Sequence, residues 1–167
     1  MFTWYKRGGK YINCPVEVGF RFQKKLIFDK ENFDAERWVE RLERIKSQDF
    51  NRIKIPEFTY EIIDNEILFE IEFIKGRQLG ATTFVNWKDV IKEDLVDRED
   101  HWGFGDLKPE NFVIEKNTDT LYLVDFDTYD PRGRENKLLE WNKYLKKSVD
   151  EIVENERIDL KNKFWSS

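Results

Sequence analysis

The stretch 101–127, HWGFGDLKPENFVIEKNTDTLYLVDFD, constrains this chain more than any other. Asp106 is followed two residues later by Lys108 and five later by Asn111. An apolar run, Phe112-Val113-Ile114, precedes a polar segment through Asn117, Thr118, Asp119 and Thr120. A second run, Leu121-Tyr122-Leu123-Val124, leads to Asp125-Phe126-Asp127. Two such runs around a polar turn predict a β-hairpin. Hairpin ends are neighbours, so the spacing brings Asp125 back beside Asn111.

The residue types in this stretch suit one kind of chemistry. A carboxylate such as Asp106 can orient a hydroxyl and accept its proton. The ammonium of Lys108 can neutralise charge on a phosphoryl group in transfer. The amide oxygen of Asn111 and the carboxylate of Asp125 are hard oxygen ligands suited to Mg²⁺. A base, a cation and a metal clamp at one hairpin mouth are the parts that phosphoryl transfer requires.

These residues resemble the protein-kinase superfamily. Asp106-Leu107-Lys108-Pro109-Glu110-Asn111 matches the catalytic loop H-R-D-L-K-P-E-N from its Asp onward, and Asp125-Phe126 matches the start of D-F-G. The family's His falls on Phe104 and its Arg on Gly105. Gly105 before Asp106 is similar to the H-G-D form of the aminoglycoside and choline kinase branch, as is an acidic residue, Asp127, after Asp-Phe. Without the Arg there is no obvious receiver for an activation-loop phosphate. The only histidine, His101, lies five residues before Asp106, so capping or packing near the loop is its simpler role.

Composition bounds the rest. The 167 residues are 40% hydrophobic and 38% charged, which is enough for one compact unit or two small lobes. The net charge of −5 argues against nucleic acid or an anionic membrane as partner. No apolar run approaches the roughly 20 residues of a membrane span. The first residues lack the apolar core of a signal peptide, so a cytoplasmic location is expected. One cysteine, Cys14, excludes an internal disulfide framework. Aromatic residues make up 16%, so large rings can fill a small core.

In chain order, residues 2–6 and 10–14 flank Arg7-Gly8-Gly9, a hairpin signal. Val16, Val18, Phe20 and Phe22 alternate towards Phe28 as a third strand. A kinase-like fold would place its nucleotide-covering turn at Gly8-Gly9, although the family's G-x-G-x-x-G is absent. The family's nucleotide-anchoring lysine lies in V-A-x-K on the third strand. Val18-Gly19-Phe20-Arg21 fits that frame with Arg21 as the cation, and Lys24 and Lys25 are the other candidates. A helix follows over residues 34–46, with Asn32 or Asp34 as N-cap and an apolar face of Ala35, Trp38, Val39, Leu42 and Ile45. Trp38 stands where the family's paired Glu belongs, with Glu36, Glu40 and Glu43 nearby.

Residues 59–63 and 67–73 read as two more strands, turned by Asp64-Asn65-Glu66. Together these segments predict a five-stranded antiparallel sheet. Glu72-Phe73-Ile74-Lys75-Gly76-Arg77-Gln78-Leu79 then resembles the connector between kinase lobes, whose main chain binds adenine. Glu72 and Ile74 would act there through backbone groups, and a plain strand end is the other reading. One helix is expected within residues 82–101, with Asn86 as a possible N-cap, and another over 135–155. The aromatics of residues 161–165 would pack back on the core. The family's A-P-E motif and its remaining helical subdomain have no counterpart after Asp127.

The expected architecture is α+β: a bilobal protein kinase-like fold with an N-lobe of residues 1–74 and a reduced helical C-lobe of residues 75–167. The expected activity is transfer of the γ-phosphoryl of ATP, with Mg²⁺, to a hydroxyl on an unknown small molecule or protein. Asp106 and Lys108 would be catalytic, Asn111 and Asp125 would hold the metal, and Arg21, Glu72 and Ile74 would contact the nucleotide. The alternative is a pseudokinase that binds nucleotide or protein without turnover.

Overall fold

The computed structural model describes residues 2–6, 9–15, 21–47, 50–97, 104–127 and 134–165; for residues 2–6, 9–15, 134 and 165 it describes the backbone alone. The chain divides into two compact units. One comprises Met1–Asp49 with Pro56–Ile74, the other Phe50–Ile55 with Lys75–Ser167.

The first unit is built on a five-stranded antiparallel sheet in the order β1-β2-β3-β5-β4. Its strands are β1 (Phe2–Lys6), β2 (Gly9–Pro15), β3 (Arg21–Phe28), β4 (Phe58–Ile63) and β5 (Glu66–Glu72). β5 alternates strictly: Ile67, Phe69 and Ile71 are buried, while Leu68, Glu70 and Glu72 face the other way. Period-two alternation sends successive side chains to opposite faces. Asp64, at φ 53°, turns β4 into β5. Asn65 ties that turn to β3, accepting the Phe28 amide and donating its side-chain amide to the Phe28 carbonyl.

Helix α1 (Ala35–Ser47) is capped by Asp34, whose Oδ1 accepts the Arg37 amide at 3.2 Å. It covers the face that carries Ile67, Phe69 and Ile71. Trp38 lies 5.1 Å from the Phe28 ring, and Lys46 sits over the rings of Phe58 and Tyr60. Leu42 and Ile45 are buried as the helical spacing expects, but Val39 is exposed and Arg41 is buried. The aliphatic stem of an arginine can cover apolar surface, and its guanidinium rests on Trp38 at 5.4 Å.

The second unit contains a three-stranded sheet, β6-β7-β8, formed by β6 (Gly76–Gln78), β7 (Phe112–Glu115) and β8 (Leu121–Leu123). The hairpin expected from residues 112–124 is its core. β6 was not legible as a strand, because Gly-Arg-Gln has no apolar alternation and all three residues are exposed. It pairs through its backbone, and Gly76 is where β7 comes closest: a Cβ there would collide with the Ile114 carbonyl.

Residues 50–55 join the second unit, which corrects their assignment to the first. Lys54 donates its amide to the Leu121 carbonyl and accepts the Leu123 amide, each at 2.9 Å. The Arg52 and Ile53 amides both donate to Asp94 Oδ2 at 2.8 Å. These are long-range partners that no local pattern encodes.

The single helix expected in residues 82–101 is instead α2 (Ala81–Asn86), α3 (Lys88–Ile91) and a wider π-helical turn over Lys92–Val96. α2 begins at Gly80, so Asn86 ends a helix and does not cap one. Glycine has no side chain to cap with, and Thr83 Oγ1 does that work, accepting the Gly80 amide and donating to the Gly80 carbonyl. The π turn brings three consecutive residues inward, Asp94, Leu95 and Val96.

Helix α4 (Arg134–Trp165) packs on α2 and on the π turn. Its buried stripe is Lys137, Trp141 and Ser148, and Lys137 Nζ donates to the Leu95 carbonyl at 2.7 Å. The helix runs ten residues beyond the expected 155, and the tail does not fold back: Phe164 is 78% exposed. Among the described residues, no helix is long and apolar enough to cross a membrane.

Candidate active site

The loop before β7 positions the candidate residues Asp106, Lys108 and Asn111. Lys108 is extended, and Pro109–Asn111 forms one 3₁₀ turn with proline at its first position. Proline suits that place, because its missing N–H would have no helical partner. The turn closes with the Asn111 amide on the Lys108 carbonyl at 3.0 Å. Asn111 is buried and its side-chain nitrogen donates to the Asp106 carbonyl at 2.6 Å. A carbonyl only accepts, so the amide must present nitrogen there, which leaves its oxygen as the group able to meet a cation.

The Asn111 backbone carbonyl accepts the Val124 amide at 2.9 Å, and Phe112 stands opposite Leu123 in the ladder. Asp125, the next residue, is therefore held beside Asn111, as hairpin geometry requires. Asp125 is half-buried, whereas Asp127 is only 1% exposed. Phe126 and Asp127 lie in a turn, so Asp125 and Asp127 are not two apart on one extended strand.

Asp106 has φ 56°. Left-handed backbone is uncommon for residues with a Cβ, and aspartate tolerates it better than most. The other two such residues among those described, Asp64 and Asp119, sit in hairpin turns where it is expected. Asp106 sits in the loop instead, held by Asn111 on its carbonyl and by partners on its carboxylate. Tyr144 of α4 donates its hydroxyl to Asp106 Oδ1 at 2.9 Å, and Lys108 Nζ lies 3.5 Å from Oδ2. Burial foremost, then the carboxylate of Asp106, pushes the Tyr144 phenol well above its ordinary range. Tyr144 escaped sequence reasoning, since nothing in the spacing of α4 marks it. Phe104, which stands for the motif's histidine, is buried 6.0 Å from the Phe50 ring, and Leu107 and Phe126 are buried with it.

Arg21, Glu72 and Ile74 belong to the first unit. Arg21 opens β3 directly opposite Glu72 on β5, and its guanidinium lies 3.8 Å from Glu57. Glu72 donates its amide to the Glu57 carbonyl at 2.8 Å, and Ile74 follows β5, half-buried. Alternation sorts the three β3 cations. Arg21 and Lys25 share one face, where Lys25 pairs with Glu66 at 3.3 Å. Lys24 is on the other face, 7% exposed, opposite Phe69, which is itself opposite Tyr60. Directly paired residues share a face of the sheet, so Lys24 lies on the side that α1 covers. Of the α1 carboxylates, Glu36, Glu40 and Glu43 are exposed, and Glu43 accepts the Tyr60 hydroxyl at 2.6 Å. Gly9 opens β2, while Gly8, the Val18-Gly19-Phe20 frame and His101 lie outside the described residues.

Among the described residues, no three His, Cys, Asp or Glu side chains converge as a metal cluster. The donor pair at the hairpin mouth is one amide and one carboxylate. That pair fits Mg²⁺, which keeps several waters and takes one or two protein oxygens together with substrate phosphates, better than an ion needing a full protein cage.

No protein-family model matches the chain, and comparison with curated proteins returned no match. Among solved structures, the chain is similar to the kinase domain of Mycobacterium tuberculosis PknI, with 13% sequence identity and a TM-score of 0.40. The match covers 73% of this chain and 56% of that domain, so the chain spans little more than half its length.

Proposed function

We propose that the chain is a protein kinase-like phosphotransferase that moves the γ-phosphoryl of ATP, with Mg²⁺, to a hydroxyl acceptor. The observation that carries this reading is the arrangement at the hairpin mouth. Asn111 reaches Asp106 through its side chain and Val124 through its backbone, and so joins the candidate base to the neighbour of Asp125. The match of six consecutive residues to the kinase catalytic loop supports the same roles.

Asn111 and Asp125 would hold Mg²⁺, which supplies charge neutralisation on the phosphates when bound. Asp106 orients the acceptor hydroxyl and takes its proton. Lys108, 3.5 Å from Asp106, would supply the positive charge on the transferring phosphoryl. In the first unit, Arg21, Glu72 and Ile74 remain the nucleotide-side group. Lys24 is the stronger candidate for an anchoring cation paired with a helix carboxylate, because it alone of the three β3 cations lies on the face under α1. The acceptor is an alcohol or phenol of unassigned identity.

A second reading, nucleotide binding without turnover, is favoured by one observation: the Asp106 carboxylate already accepts a hydroxyl, that of Tyr144. Thermal unfolding with and without Mg·ATP tests both readings together. At ATP about 100 times its Kd, stabilisation is about 2.7 kcal/mol. Asp125→Ala should abolish that gain with little effect on the ligand-free melting temperature. An unchanged gain in the variant would remove Asp125 from the site. Asp106→Asn should keep the gain and lose phosphate transfer.

A further inference from the structure

Asp106 is held in contact with a hydroxyl that belongs to the protein itself. A general base works on a hydroxyl within about 2.6–3.2 Å, and Tyr144 Oη meets that requirement at 2.9 Å from Asp106 Oδ1. Glu140, one turn earlier on α4, lies 3.4 Å from the same hydroxyl. Lys108 stands at the other carboxylate oxygen. α4 is not free to drift away: Trp141 and Ser148 on either side of Tyr144 are buried, and Lys137 is bonded to the π turn.

We propose that Tyr144 is a positioning residue that holds the acceptor's place on Asp106, so that an incoming hydroxyl must displace the phenol before transfer. This rests on the phosphotransferase reading and extends it to the control of acceptor access. The phenol is a placeholder and not itself an acceptor. A phenol is a proton donor at neutral pH, and this hydroxyl is held at Asp106 and Glu140. Water, small and weakly held, competes poorly against a tethered hydroxyl. An acceptor that brings binding contacts of its own can compete, so Tyr144 favours substrate over hydrolysis.

The test needs no knowledge of the substrate, because water serves as the acceptor. In that reaction water oxygen bonds to the γ-phosphorus and the β–γ bridging P–O bond breaks, releasing ADP. The water proton passes to Asp106 and then to solvent. Phosphate release from Mg·ATP is measured for the wild type, Tyr144→Phe, Tyr144→Leu and the Asp106→Asn/Tyr144→Phe double variant. Freeing a carboxylate from a charge-assisted hydrogen bond should raise release about tenfold in Tyr144→Phe. KM for ATP should stay within about twofold, since Tyr144 acts through Asp106. The double variant should lose the gain. Tyr144→Leu repeats the test with the phenol removed altogether.

A residue of merely structural role would lower release and melting temperature together. Unchanged or lower release in both single variants, with ATP still stabilising them, would overturn the placeholder assignment. So would phosphate found covalently on Tyr144 by intact mass. Absence of ATP stabilisation in the wild type is a different failure: it removes the phosphotransferase reading, and the inference with it.

Discussion

The two units are held together in different ways. In the first, continuous ladders join five strands, and one helix lays Leu42 and Ile45 against the sheet face of Ile67, Phe69 and Ile71, which also carries the buried Lys24. In the second, strands are three or four residues long, the helical path from α2 to the π turn breaks at Trp87, and polar contacts fasten the pieces. Asp94 collects two amides, Lys137 reaches a carbonyl, and Asn111 bridges a loop to a hairpin. Even the same contact carries different meaning. Tyr60 donates to Glu43 in the first unit and ties helix to strand at the surface, whereas Tyr144 donates to Asp106 on a left-handed backbone at the candidate site. A ladder makes a stable platform, while pointwise polar contacts can fix single side chains in positions that a regular element would not allow.

Asp94→Ala should break this contrast most sharply. It leaves the Arg52 and Ile53 amides unpartnered, at a cost of about 3–5 kcal/mol. Amide hydrogen exchange should then show lost protection in residues 53–54 and in β8, with β3 and β5 unaffected. Equal loss in both regions would mean one cooperative unit instead of two. Leu42→Ala is the reciprocal experiment. Truncating a fully buried leucine costs about 2–4 kcal/mol, and exchange should rise in β3 to β5 while the hairpin of β7 and β8 keeps its protection.

Tyr60→Phe gives the smallest effect, about 1 kcal/mol or less. Burial first, then Glu43, raises the Tyr60 phenol from 10.0 to about 12. Its stabilising contribution is therefore complete below pH 10 and lost as pH climbs from 10 through about 12. The ring is partly exposed, so solvent screening keeps the loss small. Melting curves at pH 9 and pH 11 should show the wild type losing slightly more stability than Tyr60→Phe over that interval. A wild type and variant that lose the same amount would show that the Tyr60–Glu43 contact contributes nothing.

What was legible followed from local chemistry. The hairpin of residues 112–123 could be read because apolar runs flank a polar turn, and its geometry brought Asp125 beside Asn111 without further information. α1 could be read from Leu42 and Ile45 at helical spacing and from the Asp34 cap. Other features needed a partner distant in sequence. Arg21, Lys24 and Lys25 are indistinguishable as a string of cations on one strand. Pairing with β5 sets which of them shares a face with Leu26 and Phe69. β6 has no pattern of its own and exists because Gly76 lets β7 approach.

The chain's order of residues therefore determined the strands with alternation, the capped helix and the spacing of Asp106, Lys108, Asn111 and Asp125, since each depends on neighbours a few positions away. The tertiary structure decided that residues 50–55 leave one unit for the other, that Lys24 and not Arg21 turns to the α1 face, and that Tyr144 meets Asp106. Those outcomes depend on contacts between residues far apart in sequence, such as Arg52 with Asp94, Lys54 with Leu121 and Tyr144 with Asp106, or on the phase of one strand against another. Burial of amides and carboxylates is costly unless partners are found, and a folded chain finds those partners wherever they come near, whatever their separation in sequence.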